Sequence, residues 1–444
     1  MISVFVIACL FGGSAAISLP ALGGAPITPA VFALPFLMFR AVQTCGPHAL
    51  VEHAADPGAG LWLLLTIIWG VLSAYFMPRF FAGDLLVMST DRTAVLTAVA
   101  AAPLKPSTTN LTQACYAIGG FCAFVSMRAL LTLGDGLSRL RNALLLLAAL
   151  NILAALINLA EHHLGMPSVM EYVRNGGYVM MDGGEVGGLI RISGTFPETS
   201  AFSAFTAPLF AFLASLWRSK QSRPYSGWLA LISLALLAFS TSTTAYGTLL
   251  IYFSLLGVAA MWRVLVLRVT PAVGMTAVLI WCVAVAVCCV LLLKPELVTR
   301  ITDFFDITVV RKLESSSGVE RSSWNAQSWS NFIDTYGIGV GLGSARASSF
   351  LIVLLSNLGV IGTTFFTVFV VQAFRRASRF SPEPTAPIAL AAGHAMLVTL
   401  IAASVSGTVF DIGIAFYAFA AAAAAGNASA FASQRPQEAR SAHV

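Results

Sequence analysis

The chain has 444 residues, of which 58% are hydrophobic and only 10% are charged, and its mean hydropathy is +0.84. Soluble domains carry about a quarter charged residues, and repeated apolar runs here approach the ~20 residues needed to cross a bilayer core. The composition therefore excludes a soluble protein, and the formal net charge of +6 does not point to a nucleic-acid partner. The composition predicts an all-α, polytopic transmembrane helix bundle.

Taken in chain order, the apolar runs predict about 12 spanning helices in one integral membrane domain, residues 1–444. The first run lacks the charged start of a signal peptide, so we expect a retained helix. The amphipathic stretch 79–109 is predicted to be interfacial or re-entrant. The predicted spans are 1–19, 27–43, 61–78, 111–133, 140–161, 197–217, 226–240, 243–262, 269–293, 347–373, 386–406 and 410–426.

The distribution of Lys and Arg among the short connections predicts the orientation. The positive-inside rule places such short basic connections on the cytoplasmic side, and only an N-in, C-in chain puts all of them there. Two longer segments, 162–196 and 294–346, then lie on the outer face. The cations of the predicted inner connections and tail are Arg139, Arg141, Arg218, Lys220, Arg223, Arg263, Arg268, Arg375, Arg376, Arg379, Arg435 and Arg440.

The seven cysteines lie mostly inside apolar runs and form no CxxC pair or His/Cys cluster with zinc spacing. We interpret them as small apolar residues of the bundle. No metal and no cofactor are expected. Arg128, near Asp135 at a predicted inner helix end, is interpreted as reaching toward lipid headgroups. His394, in the middle of a span, is interpreted as a polar contact between helices.

One polar helix start is "RISGTFPETSAFSAF", from Arg191 to Phe205. Gly194 permits a tight turn, and Pro197 favours the first turn of a helix. Helix N-termini with a nearby arginine favour phosphate or another anion. Glu198 is the candidate general base. The alternative for Glu198 is that it only complements the helix dipole.

A second helix start is the glycine-rich "YGIGVGLGSARASSF". Gly341 and Gly343 allow the backbone to approach a ligand closely, and Arg346 follows them. The upstream segment "VERSSWNAQSWSNF" adds Arg321 and Trp324. The alternatives are that the arginines anchor the chain at lipid headgroups and that the glycines only shape a turn.

A third outer patch is the turn "STSTTAYG", which contains Tyr246, and Asp411 begins a helix on the same side. The turn alternatively serves as a polar hairpin that caps two helices. If the three patches converge, they form an external site for a diphosphate-bearing lipid with attached sugars. Arginines would bind phosphate, Tyr246 and Trp324 would stack on sugar rings, and a carboxylate would act as base.

These motifs resemble those of the bacterial O-antigen ligase and polymerase superfamily. "RISGTFPETSAFSAF" is similar to its Arg-x-x-Gly-x-Phe signature, and "RSSWNAQSWSNFIDTYGIGVGLGSARASSFLIVLLSNLGVIG" resembles its second signature, an Arg, a Trp and a Gly-x-Gly-x-Gly turn before a helix. "STSTTAYG" resembles the Ser/Thr-rich turn of exopolysaccharide polymerases in this superfamily. The resemblance covers roughly residues 190–365.

The resemblance implies a GT-C-type membrane glycosyltransferase of the bacterial inner membrane, with its active site facing the periplasm. Donor and acceptor would be undecaprenyl-diphosphate-linked oligosaccharides, and no metal would be needed. Arg191 and Arg321 match the motifs and would hold the diphosphate, and Arg346 falls inside the second motif. A chain-length regulator is a further candidate partner.

The chain departs from the ligases of this superfamily at one position. They carry a histidine at the start of the helix after the glycine turn, whereas this chain has no histidine between His163 and His394. The departure favours a repeat-unit polymerase over a ligase that transfers glycan to lipid A core. A flippase or other transporter is the alternative from another class, although it would place charges near the bilayer midplane.

Overall fold

The computed structural model describes residues 1–18, 26–88, 101–165, 167–177, 185–186, 189–219, 225–266, 316–378 and 385–425. Within these ranges the chain is a helical bundle with three two-stranded hairpins, which confirms the predicted all-α class. The helices are α1 Ile2–Ala8, α2 Pro29–Ala55, α3 Gly60–Phe80, α4 Thr108–Leu131, α5 Gly136–Leu164, α6 Val169–Val173, α7 Thr199–Arg218, α8 Tyr225–Phe239, α9 Thr243–Leu265, α10 Ser316–Asp334, α11 Phe350–Ser378, α12 Ala386–Ser406 and α13 Ile414–Ala424.

The hairpins are short, antiparallel and placed in the connections. Their strands are β1 Ile17–Ser18 with β2 Pro26–Ile27, β3 Leu86–Val87 with β4 Ala102–Pro103, and β5 Glu185–Val186 with β6 Leu189–Ile190.

Eight of the described helices, α2, α3, α4, α5, α7, α9, α11 and α12, are long and apolar enough to cross a membrane. The helices α8 and α13 are shorter but also apolar. The chain is therefore a multi-pass membrane protein. The predicted span 269–293 lies outside the described residues, as do residues 294–315 of the second predicted loop and 89–100 of the stretch 79–109.

The predicted first span, 1–19, is wrong, because α1 ends at Ala8. The chain leaves the helix to pack on a segment almost 200 residues away. The amide N–H of Gly13 donates to the carbonyl of Thr195 at 3.0 Å. A Cβ atom on Gly12 would lie 2.4 Å from the Phe196 ring, so only glycine allows this approach.

Other boundaries also differ from the predicted ones. The helix predicted over 27–43 continues to Ala55, with a kink at Gly46 (φ +80°) directly before Pro47, since proline interrupts helical hydrogen bonding. The helix predicted over 410–426 is limited to α13, 11 residues long. The second predicted outer loop contains the polar helix α10.

Aromatic and small residues form the core where α11, α12 and α13 meet. Phe366 contacts Phe350, Phe369 and Phe416, with ring centroids 5.5–6.1 Å apart, and all four are buried. The alanine-rich helix α13 packs closely on α4, where a Cβ atom on Gly120 would lie 2.3 Å from Tyr417. Close approach through small residues is how helices associate in membranes, where lipid removes the hydrophobic drive between them.

We call one end of the bundle the site end: α5 and α8 finish there, and α4, α7 and α11 begin there. Asn110, in the first turn of α4, donates to the carbonyl of Leu342 just before α11 at 2.8 Å. The Ser203 hydroxyl, near the start of α7, lies 3.5 Å from that of Ser240, directly after α8. These contacts bring the helix ends together.

The other end, which we call the closed end, holds the α2–α3 connection and the last turns of α4 and α11. The interpretation of Arg128 as a side chain reaching for headgroups near Asp135 is wrong. Its guanidinium donates to the carboxylate of Asp56, which is partly buried, at 2.7 Å, and Asp135 pairs with Arg139 instead. His394 receives or donates a hydrogen bond with Tyr252 at 3.1 Å, which joins α9 to α12 as expected.

Candidate functional site

The turn after Arg191 is fixed to the protein by two buried polar side chains. The Asn158 Oδ1 atom accepts the N–H groups of Ser193 at 3.0 Å and Gly194 at 3.2 Å. Arg174 donates from Nε to the Gly194 carbonyl at 2.7 Å and also from Nη2. Gly194 has φ +54°, and a Cβ atom there would meet the Phe202 ring at 3.1 Å. The backbone that carries Arg191 is therefore anchored on its C-terminal side.

The N-terminal segment supports the same turn from behind. The Thr195 hydroxyl donates to the carbonyl of Leu10, and the Ser14 hydroxyl donates to the carbonyl of Val173. The Ala15 N–H donates to the Asn175 side chain at 2.8 Å. This explains why α1 ends early: residues 10–15 are used to hold the loops that precede α7.

Arg191 is partly buried at the site end. Its Nε atom is buried and has no hydrogen-bond partner among the described residues, and it makes no salt bridge with any described carboxylate. A buried donor without a partner costs ~1–3 kcal/mol, and such groups in native proteins call for an explanation such as a bound ion or ligand. The environment of Arg191 is therefore compatible with binding an anion.

Glu198 lies at the N-cap position of α7 with extended backbone, φ −152° and ψ 160°, and its side chain makes no cap hydrogen bond to α7. The carboxylate instead accepts a hydrogen bond from the Ser200 hydroxyl. Proximity to the helix N-terminus still complements the dipole. The Glu198 side chain is partly exposed at the start of α7, shortly after the anchored turn.

Hydroxyl groups surround the start of α7 and the turn between α8 and α9. Thr199, Ser203 and Ser240 are fully buried, and the hydroxyls of Thr199 and Thr241 have no partner among the described residues. Thr241 has φ +52°, which is unusual for a β-branched residue. Backbone strain of this kind clusters at functional sites.

Tyr246 stabilises the turn between α8 and α9. Its hydroxyl donates to the carbonyl of Ala238 at 2.8 Å, so the side chain spans the turn between α8 and α9. The sequence predicts sugar stacking by Tyr246. The structure gives its hydroxyl a role in the turn and leaves its ring half-buried.

The glycines of the second motif approach the protein itself. A Cβ atom on Gly341 would lie 2.5 Å from the carbonyl oxygen of Ser73 on α3, and one on Gly343 would lie 2.7 Å from that of Thr109 on α4. Their φ values, +97° and +81°, also favour glycine. The predicted close approach is therefore to α3 and α4, and its effect on the site is to fix the backbone that leads to Arg346.

Trp324 and Arg346 form a stacked pair. The guanidinium carbon of Arg346 lies 4.0 Å from the centroid of the Trp324 ring, a cation–π geometry. The Ser328 hydroxyl donates to the Arg346 carbonyl at 2.8 Å, which attaches α10 to the glycine loop. Arg321 lies three residues before Trp324 on α10, on a neighbouring position of the same helix face. The structure thus brings together the three predicted residues of the second motif.

Asp411 borders the glycine loop in the connection between α12 and α13. Its N–H donates to the Gln113 side chain at 3.3 Å, and its carboxylate accepts the Gly413 N–H at 2.9 Å. Gln113 in turn packs beside Gly343, where a Cβ atom would lie 3.1 Å from it. Burial raises the pKa of the Asp411 carboxyl, against the hydrogen bond from Gly413, which lowers it.

The predicted residues fall into two clusters at the site end. The Arg191 cluster contains Arg191, Glu198 and the hydroxyl turn with Tyr246. The Arg346 cluster contains Arg321, Trp324 and Arg346, with Asp411 beside its loop. A Cβ atom on Gly247, next to Tyr246, would lie 3.4 Å from Val405 of α12, and α12 leads on to Asp411, so α12 connects the two clusters. Within the described ranges, no three His, Cys, Asp or Glu side chains are grouped to hold a metal ion.

Sequence reasoning missed Arg174 and Asn158, which anchor the Arg191 turn. Arg174 is an isolated arginine with no motif around it, and Asn158 is one of three asparagines in the apolar helix α5, so neither carries a local signal. An asparagine facing the bundle interior does imply a polar partner. That rule points to Asn151 as well as to Asn158, and it gives the partner of neither.

No protein-family model matches the chain, and no curated protein sequence matches it. The resemblance to the O-antigen ligase and polymerase superfamily therefore stays a prediction that depends on the motif residues and their placement.

Proposed function

We propose that the protein is a membrane glycosyltransferase that joins undecaprenyl-diphosphate-linked oligosaccharide repeat units into O-antigen, capsular or exopolysaccharide. In this proposal the bundle lies in the bacterial inner membrane with its site end in the periplasm. The observation that carries it is Arg191: an anchored, partly buried arginine whose buried Nε has no hydrogen-bond partner among the described residues. Such a group fits the diphosphate of a lipid carrier.

In the proposed reaction, a hydroxyl of the acceptor sugar attacks the anomeric carbon of the lipid-linked donor chain. The bond between that carbon and the diphosphate oxygen breaks, and the configuration inverts. Glu198 accepts the proton of the attacking hydroxyl as general base. The diphosphate leaves with both electrons of the broken bond, and the arginines stabilise its charge.

The geometry supports different roles for the Arg191 cluster and the Arg346 cluster. Arg191 precedes the anchored turn that leads to Glu198 at the start of α7, so in this proposal one chain segment supplies both a cation for the diphosphate and the general base. In the Arg346 cluster, stacking on Trp324 uses the face of the Arg346 guanidinium, whereas recognition of phosphate uses its edge. Anchored arginines need little reorganisation when negative charge develops, which is the condition under which electrostatic stabilisation is most effective.

The test uses purified protein, a lipid-diphosphate-linked oligosaccharide repeat, EDTA and no other acceptor, with products separated by size. We expect a ladder of polymers from the wild-type protein. Transfer only after lipid A core is added would identify a ligase instead. No product in either reaction would overturn the glycosyltransferase proposal and favour a transporter.

A further inference from the structure

An apolar groove with a volume of about 370 Å³ lies between α5 and α8 at the site end. Helix α5 contributes Leu156 and Leu159, and helix α8 contributes Ile232, Ala235 and Phe239. The lining covers about two turns of each helix, from 156 to 163 and from 232 to 239, a length of ~10 Å at 1.5 Å per residue. A groove of this shape accommodates a segment of a hydrocarbon chain lying along the helices.

The groove opens toward the surface of the bundle. Its residues Phe239, Leu156 and Ile232 are 61%, 50% and 40% exposed, respectively. In a protein that spans a membrane, apolar side chains exposed on the spanning helices face lipid hydrocarbon. The groove is therefore open at its side, toward the apolar exterior of the bundle.

The segment that carries Arg191 forms part of the groove wall. Ile190 and Ile192 both line the groove, and Ile192 is 1% exposed. Since consecutive Cα atoms lie ~3.8 Å apart, the Cα atom of Arg191 is within one residue spacing of both. Arg191 thus lies between two residues of the groove wall without lining the groove itself, so the arginine and the groove belong to one chain segment, and His163 lies on the same wall.

We infer that this groove seats the part of the lipid carrier next to its diphosphate, while Arg191 binds the diphosphate. The inference rests on the proposed function and assigns it a subsite for the lipid. Moving a chain from lipid into an apolar groove gains little free energy, because lipid tails are as apolar as the lining. The groove therefore orients the carrier, and the charged head provides the selectivity over ordinary membrane lipids.

The test is photolabelling in nanodiscs with a polyprenyl-diphosphate oligosaccharide that carries a diazirine in the isoprene units nearest the diphosphate. Labelled peptides are mapped by mass spectrometry, and we expect label in 156–163 and 232–239. Excess unlabelled polyprenyl diphosphate should remove it, whereas phosphatidylglycerol should not. Label displaced equally by phosphatidylglycerol would assign the groove to bulk lipid and overturn the inference.

Two matched variants of α8 test the position. Ala235 and Leu231 are both exposed on α8, but only Ala235 lines the groove. Ala235→Trp should lower the groove label about tenfold, the factor that ~1.4 kcal/mol of steric conflict produces, and Leu231→Trp should leave it nearly unchanged. Equal labelling in both variants would overturn the groove as the lipid subsite.

Arg191→Gln separates this inference from the proposed function. If the head anchors the chain, this variant should also lose the label, although the groove is intact. Label that persists in Arg191→Gln but disappears in Ala235→Trp would support the groove and contradict the diphosphate role of Arg191. Retained, Arg191-dependent binding of the carrier without any label in the groove would leave the proposed function standing and overturn the lipid subsite.

Discussion

The arginines at the two ends of the bundle differ in whether a carboxylate of the protein binds them. At the closed end, Arg128 and Arg376 both bind Asp56, with N–O distances of 2.7 Å. At the site end, Arg191 has a buried Nε without a hydrogen-bond partner among the described residues, and the nearby Glu198 accepts from Ser200 instead. The difference separates arginines whose charges join helices from one whose charge, in the proposed function, binds a ligand.

At the closed end, Asp56 partly offsets the charges of the two arginines. Asp56 also accepts the N–H groups of Gly58 and Ala59 at 3.3 and 3.4 Å, so its carboxylate connects its own loop to α4 and α11. Burial raises the pKa of Asp56, but the hydrogen bonds and charges of the two arginines outweigh it and hold the pKa at about 2. A Cβ atom on Gly58 would lie 1.9 Å from the Arg376 guanidinium, so a side chain there would displace the pair.

The largest expected effect is a loss of stability when the ion pairs at the closed end are broken. Asp56→Asn leaves the buried guanidinium of Arg128 and the partly buried one of Arg376 without their carboxylate, and loss of one partner of a buried ion pair costs ~3–5 kcal/mol. Thermal unfolding in detergent measures the loss. The matched control is Asp135→Asn at the same end, whose pair with Arg139 is exposed and should contribute little. Equal losses in the two variants would contradict the role assigned to Asp56.

The ion pairs of Asp56 with Arg128 and Arg376 make the stability of the protein depend on pH in a defined direction. The pKa of Asp56 is depressed in the folded protein, from its ordinary value of 3.8 to about 2. Its contribution is therefore fully present above pH ~4 and disappears as the pH falls toward 2, an amount of ~2 kcal/mol. The stability difference between wild type and Asp56→Asn should accordingly shrink in this window. A difference that stays constant from pH 7 to pH 2.5 would argue against the ion pair.

The next largest effect is on activity, at the site end. Arg191→Ala should lower polymer formation by ~10²- to 10³-fold, the range for removing one donor that stabilises developing negative charge. Membrane insertion and the unfolding temperature should remain close to wild type, because Arg191 is not used to join helices. Normal chain lengths from this variant would exclude the diphosphate role.

A smaller effect is expected at Arg174, which positions the Arg191 turn through Gly194. Arg174→Met removes hydrogen bonds from a charged donor, worth ~1.5–3 kcal/mol. We expect kcat to fall with a smaller change in KM, and Arg174→Lys to restore part of it through one hydrogen bond. The control is Arg79→Met, an exposed arginine at the end of α3. A change in unfolding temperature without a change in kcat would assign Arg174 a purely structural role.

The spanning helices were predictable because an apolar run of sufficient length is a local property. The predicted span 386–406 coincides with α12, and 61–78 differs from α3 by two residues at most at either end. The early end of α1 was not predictable, since it depends on the contact of Gly13 with Thr195. Nor was α10, a polar helix held in place by tertiary contacts such as that of Gln327 with the Leu86 carbonyl.

The residue types of the candidate site were predictable from the sequence, but their contacts were not. The motifs pointed to Trp324 and Arg346, and the structure places them in contact. The same motifs suggested that Gly341 and Gly343 face a ligand, whereas their neighbours are Ser73 and Thr109. A local pattern shows that a backbone must come close to something, but the identity of that neighbour depends on helices more than 200 residues away.

The smallest effect is expected at Asp411, on the edge of the Arg346 cluster. Because its pKa is raised by burial, its ionised form is unfavourable in the folded state, and stability is lost as the pH rises through the folded pKa. Asp411→Asn keeps an oxygen for the Gly413 N–H and removes the charge, so it should stabilise the protein slightly at pH 8. At pH 4 and below the gain should fade. If the carboxylate also binds an acceptor sugar, the same variant should raise the KM for the acceptor. A variant that is equally stabilised at pH 4 and pH 8 would show that burial of the charge is not the cause.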